Sequence, residues 1–490
     1  MALTTRSAIA SSVVGRYLTL ALQFILTMLL ARLLTPEDIG IYSAGFSIVA
    51  LAHLFRDFGL NQYIIQEKNL DSTKVSTTFT ISIIIAWTLG LTIYSIAGVA
   101  SDFFNEKGVE NLLHLLSFNF LIIPFGSITL ALLRKNLLFH ITAFIGFLAT
   151  LIGIITTLWT AYDGARYMSL AYGAIAETSS IVILSSFYRS KDFKLRLTLA
   201  GAREIFKFGS IVGAGNIITQ FTTSAIQALV ARILGLSSLG FFSRATGTSA
   251  LFDNMLVSSI KPTILPLFSS HNHDLEKLTK SYLKAASIAF IFAWPFFTFL
   301  FLYTYEIVNF LYGSQWDTAV PLIKILCIGG MIRPPMLFAD HLFIAYGHPN
   351  TILKILAITN FVKLALVACA CFISLEAICY AFLIASLTRL LLVLKDLNLV
   401  FQMHNEQFLK LGLQALPTLI LTIAPALLAD LMIGIAIENN YIRLPILMAC
   451  SFIGWITGLA LSKHVFYDEL ILLIKRKPDP QKHPIIEKTD

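Results

Sequence analysis

Ala31-Arg-Leu-Leu-Thr-Pro-Glu-Asp-Ile-Gly-Ile-Tyr-Ser43 returns, 200 positions further on, as Ala231-Arg-Ile-Leu-Gly-Leu-Ser-Ser-Leu-Gly-Phe-Phe-Ser243. The apolar matches alone carry little weight in so apolar a chain. The shared arginine (Arg32, Arg232), glycine (Gly40, Gly240) and serine (Ser43, Ser243), with Gly15 and Gly215, keep one offset throughout. Each copy sits where one long apolar run gives way to the next, and runs of about 20 residues are the length of a membrane-crossing helix. Six such runs separate the copies. The two halves therefore enter the membrane in the same sense, related by an axis along its normal.

Of 490 residues, 57% are hydrophobic and 13% charged, whereas soluble domains carry about 25% charged residues. That composition excludes an ordinary soluble protein. Apolar windows lie near 9–31, 40–58, 77–100, 111–132, 140–161, 168–187, 208–231, 244–267, 284–304, 319–344, 351–374, 376–394, 411–432 and 442–462. They are continuously apolar rather than alternating over about 10 residues, so they are helices and not barrel strands. The expected fold is an all-α polytopic membrane protein of about 14 transmembrane helices. Its parts are an N-lobe (1–187), a basic cytoplasmic linker (188–207) along the anionic inner leaflet, a C-lobe (208–394), two further helices (395–462) and a basic tail (463–490).

Lys and Arg crowd, roughly four to one, into the segments on the side of the two termini, which predicts that both termini are cytoplasmic. The net charge of +8 is thereby explained by topology, and nucleic acid is not an expected partner. Cys327, Cys369, Cys371, Cys379 and Cys450 are odd in number and contain no C-x-x-C pair, so they read as buried free thiols. No phosphate-binding G-x-x-x-x-G-K-[ST] loop, H-E-x-x-H or G-x-S-x-G is present, and the outer loops are too short for a catalytic domain. No enzymatic activity, metal or cofactor is expected, and the chain reads as a monomer.

Chemistry is concentrated inside the spans. Ser12, Arg16, Thr19, Gln23 and Thr27 follow one another at spacings of four, three, four and four, one face of the first helix. At the 200-residue offset, Asn216, Thr219, Thr223 and Gln227 line the corresponding face of the seventh. Such stripes serve either as interhelical glue, at about 1 kcal/mol or less per contact, or as the lining of a cavity. Matched stripes with an arginine deep in one of them favour a water-filled cleft. Charges within spans are costly and mark pathways. Cations outnumber acids here, and Arg16, Arg56, Arg244, Lys261 and Lys363 are the candidate contacts for an anion, guanidinium forks suiting phosphate especially. For those near span ends, snorkelling to the interface is the competing explanation. Asp57, Asp253 and Asp340 are candidates for a coupling cation or for structural ion pairs. Arg333-Pro-Pro335 should break the tenth span.

Ala31 to Tyr42, continuing through Arg56-Asp-Phe-Gly-Leu60 to Ile64-Ile-Gln66, resembles the N-terminal signature of Wzx-type flippases in the multidrug/oligosaccharidyl-lipid/polysaccharide (MOP) superfamily. Leu239-Gly-Phe-Phe-Ser-Arg244 is similar to the start of that family's second lobe, though the family's usual element reads Gly-Tyr-Tyr-Ser-Arg. Leu311-Tyr-Gly-Ser-Gln-Trp316, Ala319-Val-Pro-Leu322 and Ala345-Tyr-Gly347 resemble the colanic-acid exporter branch. The resemblance covers about residues 10–390. It implies alternating access by two lobes, carrying an undecaprenyl-diphosphate-linked oligosaccharide across the bacterial inner membrane for exopolysaccharide, capsule or O-antigen synthesis. It also implies membrane lipids, a polysaccharide polymerase and assembly machinery as partners, with a proton or sodium gradient as the coupling source. The alternative expectation is a cation-coupled drug or metabolite antiporter of the same superfamily, whose cleft would favour carboxylates.

Overall fold

The computed structural model describes residues 5–56, 59–189, 197–203, 205, 214–271, 273–433, 440–462 and 466–467, without the side chains of 5–14, 214–216, 259, 261, 262 and 433. The described residues form nineteen α-helices and no strand. Eleven are long and apolar enough to cross a membrane, and two bent pairs bring the number to thirteen. The remaining stretch, expected near 244–267, is helical but divided. It consists of α10 (Leu236–Ser249), a π-turn (Asp253–Val257) and α11 (Ser258–Ser270), no piece of which spans alone.

Both bent spans turn at proline. α5 (Lys107–Ile122) meets α6 (Pro124–Lys135) at 49°, and α14 (Ala319–Ile332) meets the Pro334–Ala345 segment, which includes α15 (Ala339–Ala345), at 55°. The second is the break expected from Arg333-Pro-Pro335.

The chain packs as two compact units interleaved in sequence. One comprises Met1–Pro262, Thr304–Gly329 and His348–Leu391, and the other Thr263–Tyr303, Gly330–Gly347 and Leu392–Asp490. In the first, α1 (Thr5–Leu33) packs on α7 (Phe139–Tyr162), which packs on α8 (Met168–Ser186). At its centre α2 (Pro36–Arg56) crosses α10. A Cβ on Gly40 would lie 1.9 Å from the carbonyl oxygen of Leu236, and one on Gly240 would lie 1.9 Å from that of Pro36. Only glycine permits this approach from either side, and the Ser243 hydroxyl donates to Ser43 at 3.0 Å. The 200-residue repeat is thus a spatial symmetry, with equivalent residues meeting about its axis.

The two copies start their second helix differently. Thr35 and Asp38 form a reciprocal cap before α2, with Thr35 N and Oγ1 donating to Asp38 Oδ2 and Asp38 N donating to Thr35 Oγ1. Arg166 pairs with the buried Asp38 at 2.9 Å. In the second copy the N-cap is Gly235, at φ 89°, and no side chain caps the helix.

Part of the expected linker is folded against this unit. Thr198 N donates to Thr80 Oγ1 at 3.0 Å, and Thr77 Oγ1 donates to Ala200 O at 2.8 Å. Ile205 is buried beside Ile81 and beside Leu60 and Tyr63 of the short α3 (Leu60–Gln66). Residues 190–196, with three of the linker's six basic side chains, and the tail from 468 lie outside the described residues.

In the second unit, prolines free carbonyls that tryptophans satisfy. Pro295 within α12 (Leu275–Leu302) has no N–H for Ile291 O, and Trp455 Nε1 donates to it at 3.0 Å. Pro335 likewise leaves Met331 O, which accepts from Trp294 Nε1 at 2.9 Å. α18 (Asn405–Ile433) and α19 (Asn440–Leu461) pack through Gly454 and Gly458, where added Cβ atoms would meet Leu421 O and Thr418 Cα. This is the small-residue spacing that lets membrane helices approach closely.

Candidate functional site

A cavity of about 340 Å³ opens within the first unit. α1 lines it with Gln23 and Thr27 among leucines and Phe24, α2 with Tyr42, and α10 with Ser243, Arg244 and Thr248. Asn254 from the π-turn and Tyr312, just beyond α13 (Thr304–Leu311), complete its polar wall. A π-turn widens the helical ladder and re-aims side chains, and here Asn254 reaches the cavity while Asp253 is not among its lining residues.

Among the described residues Arg244 is the only charged one in that lining, and it is only 9% exposed. Its guanidinium carbon lies 4.8 Å from the centre of the Tyr312 ring and 4.7 Å from that of the Trp316 ring. The Thr248 and Tyr312 hydroxyls are 3.1 Å apart. Arg244 Nε has no hydrogen-bond partner, and no carboxylate among the described residues pairs with the guanidinium. A desolvated cation without a counter-ion is costly unless an anion joins it.

The other expected site residues fall in several places. Arg16 is exposed on α1, seven residues from Gln23 and so roughly 10 Å away along the axis. Thr19 donates to Gly15 O and Thr27 to Gln23 O, each closing on its own helix. Arg56 Nη1 donates to His53 Nδ1 at 2.8 Å, with the His53 ring stacked on Phe120. Lys363, on α16 (Pro349–Ala370), sits 5.1 Å from the centre of the Phe382 ring on α17 (Leu375–Phe401), which in turn packs edge-on to Phe242. It therefore stands behind the cavity wall rather than in it. Thr219 and Thr223 are exposed on α9 (Ala214–Leu234), and Gln227 is half-buried. None of these three lines the cavity, so α1 meets α10 there rather than the stripe of the seventh span. Asp340 is half-buried in α15. Asp57 and the side chains of Ser12, Asn216 and Lys261 lie outside the described residues.

The matched arginines at the ends of α1 and α9 each reach into the opposite half of the repeat. Arg32 Nη2 donates to Phe310 O at 2.8 Å. The Arg232 guanidinium lies over the Phe103 ring, and with the Asn105 carboxamide turned to face it Nη1 donates to the Asn105 oxygen at 2.9 Å. Asn105 is the left-handed C-cap of α4 (Ser72–Phe104). Among the thiols, Cys327, Cys371 and Cys379 are buried, Cys450 is half-buried and Cys369 is exposed. That corrects the expectation for Cys369, which falls on an outward face of α16. Among the described residues no group of three His, Cys, Asp or Glu side chains could hold a metal ion.

Tyr42, Ser243, Asn254 and Tyr312 were not singled out as site residues. Tyr42 and Ser243 stand inside the repeated motif and Tyr312 inside the Tyr-Gly-x-x-Trp element, which are the sequence signals that lead to them. Asn254 has no such signal, because only the π-turn brings it inward.

Residues 29–321, which contain all of α2, α10 and the Tyr312–Trp316 element, match the family of polysaccharide biosynthesis proteins. The chain belongs to that family. Among relatives of this family member, the lipopolysaccharide biosynthesis protein WzxC of Escherichia coli (strain K12) is 24% identical over 66% of each chain. The succinoglycan biosynthesis transport protein ExoT of Rhizobium meliloti (strain 1021) is 24% identical over 68% of this chain and 67% of its own. The aligned part is thus just under two thirds of the first relative's length. In fold, the chain resembles the lipid II flippase MurJ in an inward closed conformation, with a TM-score of 0.72 at 16% identity over 95% of this chain and 99% of MurJ. An inward-facing MATE family transporter of the MOP superfamily gives 0.65 at 16% identity over 81% and 98%. The all-helical fold expected from the sequence is therefore the fold found, and it is shared with these two solved structures.

Proposed function

We propose that this protein moves an undecaprenyl-diphosphate-linked oligosaccharide across the bacterial cytoplasmic membrane by alternating access, and that the cavity around Arg244 receives the anionic headgroup. The observation that carries this reading is the buried, counter-ion-free Arg244 in a cavity whose other polar lining is neutral. Diphosphate supplies the missing negative charge. Gln23, Thr27, Tyr42, Ser243 and Asn254 offer donors and acceptors to the adjoining sugar. At about 340 Å³ the cavity is near the lower end of small-molecule sites. It suits the headgroup and its first sugar, leaving the prenyl tail in lipid.

In this reading Arg16, on the same helix, attracts the headgroup on its way in, and Lys363 adds positive potential from behind the wall. The N- and C-lobes of the repeat rock about the axis between α2 and α10, both termini face the cytoplasm, and a proton or sodium gradient drives the cycle. The protein acts as a non-enzymatic monomer alongside a polysaccharide polymerase. The names of its relatives, which refer to lipopolysaccharide and succinoglycan biosynthesis, support the substrate class.

The test is translocation of a polyprenyl-diphosphate oligosaccharide in proteoliposomes, with and without an imposed gradient. Arg244→Gln should reduce transport by at least tenfold, since truncating one partner of a buried charge pair costs about 2–5 kcal/mol. Wild-type transport by a well-folded Arg244→Gln protein would refute the assignment. Gradient-driven uptake of an organic cation, with no transport of such lipids, would establish the antiporter instead.

A further inference from the structure

One short element serves both the cavity and the end of α1. After α13 the chain turns at Gly313, whose φ of 94° is closed to residues bearing a Cβ. Tyr312 and Trp316 then flank the Arg244 guanidinium from the sides given above. The same Trp316 donates through Nε1 to Ala31 O at 2.8 Å, and Gln315 Nε2 donates to Ala31 O and to Leu34 O. Ala31 O lies in the last turn of α1, where carbonyls lack intrahelical partners. The Trp316 side chain is fully buried. Its ring face therefore holds the cavity's cation while its ring edge clasps the helix end.

We propose that Tyr312 and Trp316 are positioning residues that tie the cavity's affinity for an anion to the clasp on α1. With Trp316 anchored on Ala31, the two rings hold the guanidinium toward the cavity. Once the α1 end lets go, the indole loses its anchor, the guanidinium loses one wall, and the anion is released. This inference rests on the headgroup site proposed above.

The test uses the full chain in nanodiscs, with farnesyl diphosphate as probe and farnesol as its uncharged control. A second readout is the distance between spin labels at the exposed positions Leu33 and Ser314, in a background with the five native cysteines replaced. Trp316→Leu and Tyr312→Leu should each weaken farnesyl diphosphate binding about tenfold, because a desolvated cation loses an aromatic face. Tyr312→Phe, which keeps its ring and loses only the hydroxyl paired with Thr248, should weaken binding less than Tyr312→Leu does. Farnesyl diphosphate should narrow the Leu33–Ser314 distance in the wild type, and Trp316→Phe should bind the probe without that narrowing. A merely structural role would not separate binding from that narrowing. Wild-type affinity in both leucine variants, or undiminished narrowing in Trp316→Phe, would overturn the positioning role while the headgroup site stands. Wild-type binding by Arg244→Gln, or equal affinity of the wild type for diphosphate and alcohol, would overturn the headgroup site and this inference with it. Should the leucine variants fail to fold, Trp316→Phe still decides through its distance readout.

Discussion

Replacing Gly40 by alanine puts a methyl carbon 1.9 Å from Leu236 O, and replacing Gly240 puts one 1.9 Å from Pro36 O. Both obstacles are backbone, which cannot rotate aside as a side chain can. Restoring ordinary contact needs α2 and α10 to separate by more than about 1 Å. Overpacking of this kind costs about 1–3 kcal/mol, and a clash with backbone belongs at the upper end. Alanine recovers about 1 kcal/mol of helix propensity over glycine, so each single substitution should destabilise by roughly 2 kcal/mol. The two contacts share one crossing, however. Once the helices have parted for the first methyl, the second finds room and adds only its propensity gain. The double variant should therefore lie within about 1 kcal/mol of either single one, instead of near the additive value of about 4 kcal/mol. The assay is reversible denaturant unfolding in detergent micelles, followed by tryptophan fluorescence, on wild type, both singles and the double. Single variants within about 0.5 kcal/mol of wild type, or a strictly additive double, would refute the reasoning. Either outcome would mean that the crossing is looser than the reciprocal contacts imply.

Trp455→Phe should cost about 1–3 kcal/mol by orphaning Ile291 O. In a Pro295→Ala background that cost should shrink, because the substituted residue regains the N–H that the carbonyl lacked, and equal costs in both backgrounds would sink the account. Arg166→Ala strips the buried Asp38 of its partly exposed cation and should destabilise by about 1–2 kcal/mol, with Arg166→Ala/Asp38→Asn recovering most of it in the same unfolding assay. Acid sensitivity should follow carboxylates at the helix ends. Lys74 holds the Glu67 carboxyl below its usual range through their 2.8 Å hydrogen bond, and the Lys277 backbone N–H does the same for Asp274. Because these folded-state values are depressed, the contribution is complete above the unfolded carboxylate range near about pH 4 and lost as pH falls through the lower folded value. Glu67→Gln with Asp274→Asn should flatten the melting temperature below about pH 5, and an unchanged acid limb would disprove the link.

Much of the architecture was legible because span length and apolarity are local properties. The break at Pro334–Pro335 follows from proline's missing N–H, whereas the turn at Pro124, which has the same cause, was not anticipated within the stretch 111–132. The eighth stretch was harder to read, since the π-turn at Asp253–Val257 divides a helix that composition alone presents as one span. The repeat was visible as matched letters. That Gly40 and Gly240 each lie against the other copy's helix start was not, because the sequence offset says nothing about distance.

Of the candidates chosen by face and charge, Gln23, Thr27 and Arg244 line the cavity. Lys363 and Arg56 looked equivalent to Arg244 as intramembrane cations. Packing distinguishes them, setting one over Phe382 and the other on His53. Periodicity identifies a helix's polar face but not the helix opposite it. The choice of α10 over the stripe on α9 depends on which backbones approach closely enough to enclose space.

The amino-acid sequence by itself determined the helical, membrane-spanning character of this protein, its two-fold repetition and its excess of intramembrane cations, because each follows from residue type and spacing along one chain. Only the tertiary structure decided which cation is desolvated without a counter-ion, and that the same tryptophan both flanks it and clasps α1. Desolvation and counter-charge are sums over neighbours from distant parts of the chain, here Arg244, Tyr312, Trp316 and Ala31. No single segment contains them.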